Sequence, residues 1–273
     1  MSTILKYGSK GSDVAALQNL LIAAGHKISA DGWFGDATEA AVRAFQAAQI
    51  PPLVTDGRAG PQTLAALRGE RKADMLDQTA IDAAAALLGV DVAAVMAVSK
   101  VEARGRGFLP DGRVKILFER HIFYRELAKK HGAATAAKWA REAPHICSKI
   151  MGGYKGGAAE YPRFSRAFTI DPECAMKSCS WGAYQIMGFN HAAAGYKTVG
   201  DFVDGMKQGE NAHLLAFAAF IKADKALHAA LKVRDWPKFA EIYNGPAYQK
   251  NAYDTKLAAA YAQFASLYPA PAA

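Results

Sequence analysis

The chain has 273 residues, enough to bury a sizeable core as two modest domains or one large one. Hydrophobic residues make up 51%, but much of that is alanine. The most apolar run, 79–101, is broken by Asp82, Asp91 and Lys100, which excludes stable membrane insertion there. The formal net charge of +8 lies wholly beyond residue 67, because residues 1–67 carry five basic side chains against five acidic ones. A basic body attracts polyanions, whether nucleic acid, anionic glycan or bacterial wall. The lack of an RNP-type aromatic motif or a dense Lys/Arg helix argues against nucleic acid.

The first residues, MSTILKYGSKG, do not show a basic segment followed by an apolar one, so synthesis and retention in the cytoplasm are expected. Residues 12–25 read as a helix capped by Ser12, with an apolar stripe at 14, 17, 21 and 24 and a stop at Gly25. Residues 31–42, DGWFGDATEAAV, and 56–67, DGRAGPQTLAAL, then repeat one frame, Asp-Gly-x-x-Gly-x-x-Thr-x-x-x-aliphatic. Gly32 and Gly57 permit the turn, Pro61 suits a first helical position, and Thr38 and Thr63 fall in the first helical turn, where a hydroxyl can satisfy a free backbone group. Three short helices joined by glycine turns result.

These segments, with LKYGSKGSDVAALQNLLIAAG ahead of them, resemble the peptidoglycan-binding family found beside many wall hydrolases, over about residues 4–67. The resemblance implies peptidoglycan as partner. Asp31, Gly32, Gly35 and Thr38 can be explained as turn builders, so the binding role falls on Trp33 and Phe34, adjacent aromatics in a turn. The second unit carries Arg58-Ala59 instead, which makes any wall contact one-sided. Residues 68–78, RGERKADMLDQ, are densely charged and read as a linker or a solvated helix between domains 1–67 and 79–273.

Beyond them helical patterns dominate, at 79–88, 91–103, 121–131, 133–142, 210–223, 224–232, 236–243 and 251–266, with one strand segment at 113–119 and a loop-rich stretch at 151–179. The expected fold class is therefore mainly α: a three-helix bundle, then a mostly helical domain with a small β-sheet. In the second of these helices Val92, Val95, Met96 and Ser99 share a stripe, and Glu102 falls three residues further along it, just before Gly105 and Gly107. A carboxylate there faces protein rather than water. Its alternatives are a pairing with Arg104 or Arg106.

Glu102 with VEARGRGF at 101–108, then SWGAYQIMGFN at 180–190, then EIYNGPAYQKNAY at 241–253, resembles the lysozyme superfamily of the goose-type and transglycosylase-like kind. With LFERH at 117–121 added, the form is similar to the N-acetylmuramidase domain of bacteriophage endolysins, over about 80–268. The resemblance implies a lysozyme-like fold, cleavage of the β-1,4 bond between N-acetylmuramic acid and N-acetylglucosamine, a monomer without cofactor or metal, and holin-dependent access to the wall.

Glycoside cleavage needs an acid that stays protonated near neutral pH, and an apolar stripe and the negative end of its own helix both disfavour the carboxylate of Glu102. Glu119 is a candidate base, with an ion pair to Arg120 or Arg125 as the alternative; Glu160, Asp171 and Glu173 are not distinguished by their spacing. Ser180, Gln185, Tyr243 and Asn244 occupy the motif positions that would hold water or substrate, or else brace the turns at Gly182 and Gly245. Tyr154, Tyr161, Trp181, Tyr184, Tyr243 and Tyr248 are candidates for stacking on sugars.

Two other activities remain open from sequence: a lytic transglycosylase, and a non-catalytic wall-binding protein. A metallopeptidase is disfavoured, because the seven histidines form no HExxH or paired spacing. Cys147, Cys174 and Cys179 form no zinc spacing, and a Cys174–Cys179 disulfide is an open alternative.

Overall fold

The computed structural model describes residues 4–71, 74–103 and 105–268. The front unit has the three expected helices, α1 (Ser12–Ala23), α2 (Asp36–Ala48) and α3 (Pro61–Leu67). They enclose a core of Val14, Leu17, Leu21, Phe34, Val42, Phe45 and Leu53. The helix start differs from expectation: Gly11 occupies the cap position of α1 and Ser12 is its first residue, without a side-chain cap bond.

The repeat has a buried staple that the Asp-Gly frame alone did not reveal. Gln18, on α1, donates to Asp31 Oδ1 at 2.8 Å, Trp33 O at 3.0 Å and Thr38 Oγ1 at 3.0 Å, and accepts from Gly32 N at 2.9 Å. Gln46, on α2, repeats this with Asp56 Oδ1 at 3.1 Å, Arg58 O at 3.0 Å, Thr63 Oγ1 at 3.1 Å and Gly57 N at 2.9 Å. Each glutamine is buried, and its amide is satisfied by the polar groups of the turn. The frame residues are thus primarily structural.

The charged stretch after α3 becomes part of the protein interior at its far end. Asp77 is buried, pairs with Leu53 in an isolated bridge, and caps the next helix through Ala80 N at 3.1 Å. Asn211 holds its other oxygen at 2.7 Å. Gln78 N donates to Pro52 O at 3.1 Å, and Gln78 Oε1 accepts from Thr55 N at 3.0 Å. The front unit therefore docks on the second through backbone bonds.

The larger unit runs α4 (Gln78–Leu88), α5 (Val92–Glu102), β1 (Ile116–Phe118), α6 (Arg120–His131), α7 (Ala133–Glu142), α8 (Glu160–Ile170), α9 (Pro172–Lys177), β2 (Cys179–Trp181), β3 (Ile186–Met187), α10 (Val199–Met206), α11 (Glu210–Ala223), α12 (Lys225–Val233), α13 (Trp236–Asn244) and α14 (Tyr253–Leu267). The sheet is antiparallel in the order β1-β2-β3, with Leu117 opposite Ser180 and Ser180 opposite Met187. The stretch 151–179 is not loop-rich: it holds α8 and α9. The segment EYPRFSRAFTI hides its helix because Pro162 and the aromatics argue against one, yet Pro162 sits in the first turn, where its missing N–H costs nothing.

Two features position the end of α5. Alanines 93 and 97 let it approach α14 closely, against Ala260 and Phe264, while Ala94, Val95 and Val98 enter the main core. Its start is fixed by Asp91, which caps Ala94 N at 2.7 Å, accepts from Tyr261 OH at 3.0 Å and pairs with Arg234. A helix held on both sides and at its N-terminus delivers its last residue to a defined place. The three cysteines are free thiols, buried apart from solvent, so the Cys174–Cys179 disulfide is not formed. Among the described residues no single helix is long and apolar enough to cross a membrane.

Candidate active site

Glu102 ends α5 only 8% exposed and lines a cleft of about 400 Å³. Glu119, Ser180, Tyr184, Gln185, Tyr243 and Asn244 line the same cleft. All six acid and motif candidates, Glu102, Glu119, Ser180, Gln185, Tyr243 and Asn244, thus gather from four separate stretches of chain. Asn244, the last residue of α13, donates from Nδ2 to Glu102 Oε1 at 3.1 Å, which orients the carboxyl. Arg106 is engaged elsewhere, with Asp74 at 3.0 Å and Glu210 at 3.5 Å; Arg104 lies outside the described residues.

Strand alternation sorts the sheet residues between two faces. Leu117, Ser180 and Met187 face the cleft, whereas Trp181 lines a larger cavity of about 860 Å³ with Phe108, Tyr161, Phe164 and Phe168. That second cavity is mostly apolar, so the chemistry belongs to the smaller, polar cleft with its two glutamates. Of the aromatic candidates, Tyr184 and Tyr243 line the cleft, Tyr161 and Trp181 do not, and Tyr248 packs half-buried against the core.

Ser180 and Gln185 work as a pair. Ser180 Oγ donates to Gln185 Oε1 at 2.8 Å, and Gln185 Nε2 donates to Gly182 O at 2.8 Å and Lys115 O at 3.3 Å. Gln185 has φ 52, a left-handed conformation uncommon outside glycine, and its side-chain bonds hold it there. Its amide is therefore spent bracing the β2–β3 turn and pinning it to the chain before β1. Tyr243 stacks on Phe239 at 6.0 Å and meets Phe217 edge-on at 5.6 Å, so its ring is fixed from behind. Tyr184 stacks on Phe217 at 4.3 Å and shares a 2.6 Å hydrogen bond with Ser99, one turn before Glu102. Burial pushes the Tyr184 phenol well above its ordinary pKa and keeps it neutral.

His213, buried on α11, is a residue that motif reading passes over. Its Nε2 reaches Met206 O at 2.7 Å, and Ala183 N donates to its Nδ1 at 3.3 Å. One nitrogen donating and the other accepting is the neutral ring, and burial lowers its pKa accordingly. A Cβ at Gly107 would lie 2.2 Å from Nδ1, and one at Gly182 would lie 3.0 Å from the ring. The glycines of GRGF and SWGAYQ thus make room for one imidazole that ties both motifs together.

Glu119 does not pair with either expected arginine. Arg120 donates to the carbonyls of Pro144, Ile150 and Met151, and Arg125 bonds Glu126 at 2.9 Å. Glu119 Oε2 instead accepts from Tyr154 OH at 2.7 Å, with His121 Nδ1 at 3.1 Å.

In the front unit the two adjacent aromatics part company. Trp33 is 40% exposed, with Lys10 Nζ 4.2 Å above its ring. Phe34 is fully buried in the module core, so it builds the fold and cannot be a wall contact. Successive side chains in the extended turn point opposite ways, and only one can face solvent.

Comparison with known proteins agrees with this layout. Residues 91–265 match the family model described as N-acetylmuramidase, and residues 10–67 match that of a putative peptidoglycan binding domain. No curated protein matches in sequence. A crystal structure of Burkholderia AP3 phage endolysin is similar, at 48% identity and a TM-score of 0.82, over 97% of this chain and 98% of that one. With an acid-bearing cleft behind a peptidoglycan-binding module, the chain belongs to the N-acetylmuramidase family.

Proposed function

We propose that Glu102 is the general acid of a peptidoglycan muramidase and that Glu119 is its base. The observation that carries this reading is the meeting of two carboxyl groups from different elements in one polar cleft, one of them at a buried helix end. Glu102 gives its proton to the leaving glycosidic oxygen as the bond to the N-acetylmuramic acid anomeric carbon breaks. A water adds to that carbon through an oxocarbenium-like state, and its proton passes to Glu119. Asn244 orients the acid, and the Ser180 hydroxyl and Tyr243 supply polar edges along the sugar path.

Hydrolysis is favoured over intramolecular attack because the cleft offers hydrogen-bonding groups to hold a water, where a transglycosylase gains by excluding it. Mass spectrometry of digested sacculi tests this. Fragments ending in reducing N-acetylmuramic acid are expected. Predominantly anhydro ends, lighter by one water, would overturn hydrolysis, and ends reducing at N-acetylglucosamine would mean that a different bond is cut.

The kinship with a phage endolysin supports a role in host lysis. In the proposed role the enzyme acts as a monomer and reaches the wall once a holin has opened the membrane. The front unit holds the substrate, chiefly around Trp33. Because that unit has its own core, residues 1–68 should bind purified sacculi alone, and residues 74–273 should still cleave them. Asp74 is kept because its carbonyl accepts from Glu210 N at 2.8 Å and its side chain pairs with Arg106. The shorter enzyme is expected to need higher concentrations, since tethering raises the effective concentration at an insoluble substrate. Pull-down and turbidity assays read the two outcomes, and unchanged efficiency of the fragment would remove the module from substrate capture.

A further inference from the structure

The segment 149–157, between α7 and α8, brings Tyr154 to Glu119 of the cleft. It is tied down on both sides of Tyr154. Before it, the Arg120 guanidinium donates to Ile150 O at 2.9 Å and Met151 O at 3.2 Å. After it, the Glu160 carboxylate accepts from the Lys155 amide and from Gly156 N at 2.8 Å. Glu160 is completely buried and paired with Arg163, so this anchor is part of the core. A loop with a buried charge at one end and a guanidinium at the other holds its central side chain in place.

That side chain reaches Glu119. Tyr154 OH donates to Oε2 at 2.7 Å, and His121 Nδ1 lies 3.1 Å from the same oxygen, off the line of a hydrogen bond. Among the described residues no hydrogen bond or ion pair reaches Oε1. One oxygen is thus held and the other left to the cleft. The Tyr154 phenol is pushed up to about 12 by burial and by the carboxylate beside it, so it remains a donor at working pH.

We propose that Tyr154 is a positioning residue for catalysis: it clamps Glu119 Oε2 so that Oε1 is presented to the attacking water. The proposal rests on the base role of Glu119. A held carboxylate loses no orientational freedom when the water is activated, which is where a positioned base gains over a mobile one. The effect falls on the chemical step and leaves ground-state binding of the glycan unchanged.

A double-mutant cycle tests it. Tyr154→Phe keeps the ring and removes the hydroxyl, and Glu119→Gln removes the base. With wild type and the double variant, all four are assayed for kcat and KM on dye-labelled sacculi, and melting temperatures are measured in parallel. Tyr154→Phe should lower kcat about tenfold, the order of one hydrogen bond to a charged group, with KM and melting temperature little changed. In the Glu119→Gln background the same change should cost nothing further, because residues that act as a unit are not additive. Glu119→Ala provides a second background if the glutamine variant melts lower. A full Tyr154→Phe loss persisting without Glu119, or wild-type kcat in Tyr154→Phe, would overturn the positioning role. Wild-type activity in Glu119→Gln would instead overturn the base assignment itself.

Discussion

Glu102→Gln is expected to fold as the parent does and to lose nearly all lysis. Glutamine has the same shape and keeps an oxygen for the Asn244 amide, which now reaches Oε1 at 3.1 Å, so the helix end and the cleft wall should be unchanged. What disappears is the transferable proton. General acid catalysis contributes on the order of 10² to 10⁴ in rate. Turbidity loss of outer-membrane-permeabilised cells gives the rate, and thermal melting verifies the fold. Activity within about tenfold of wild type at equal stability would remove Glu102 from the acid role, since that is below the range for such a catalyst.

Glu160→Ala should be the most damaging change outside the cleft. Glu160 is fully buried, its side chain meets Arg163, Phe118 N and the loop amides of Lys155 and Gly156, and Arg163 is itself buried. Removing the carboxylate leaves the buried Arg163 guanidinium without its counter-charge and the Phe118, Lys155 and Gly156 amides without their acceptor, which typically costs about 3–5 kcal/mol. For a domain of this size that lowers the melting temperature by roughly 6–20 °C. A shift of less than about 2 °C would show that the pair carries no such weight.

The same residue contributes to acid sensitivity. Burial alone would raise its pKa, but the amides of Gly156 and Lys155 and the Arg163 charge outweigh it, so the folded value lies below the ordinary 4.5. A depressed carboxyl pKa stabilises the fold fully above the unfolded value, and the contribution is lost as pH falls through the folded one. Wild type should therefore lose stability on acidification below about 4.5, and Glu160→Ala should lose less over the same range.

Much of the design was open to reading along the chain. The Asp-Gly frame at 31 and 56 announced two turn-and-helix units because glycine turns and first-turn threonines leave a local signature. The stripe through Val95 and Ser99 placed Glu102 at a buried helix end because helical periodicity shows on one strand of sequence. Helices from α4 to α7 and α11 to α14 followed within a few residues for the same reason.

Tertiary structure alone decided the partners. Phe34 and Trp33 are equivalent in sequence, and only the packing of α1 against α2 determines which ring is buried. Arg120 and Arg125 looked like partners of Glu119, yet Arg120 found backbone carbonyls and Arg125 the Glu126 carboxylate, and the actual donor, Tyr154, comes from a loop far along the chain. Helix α8 escaped notice because Pro162 and its aromatics obey no local helical preference; its burial of Glu160 and Arg163 between the sheet and the loop sustains it. His213 is silent in sequence, being one histidine in an apolar helix, and acquires meaning only when Gly107 and Gly182 close around it. Periodicity, turns and caps depend on neighbours within a few residues, so sequence determined most of the helices and the buried helix-end position of Glu102. Which side chains meet depends on how those elements pack, and contacts between residues remote in the chain leave no local trace.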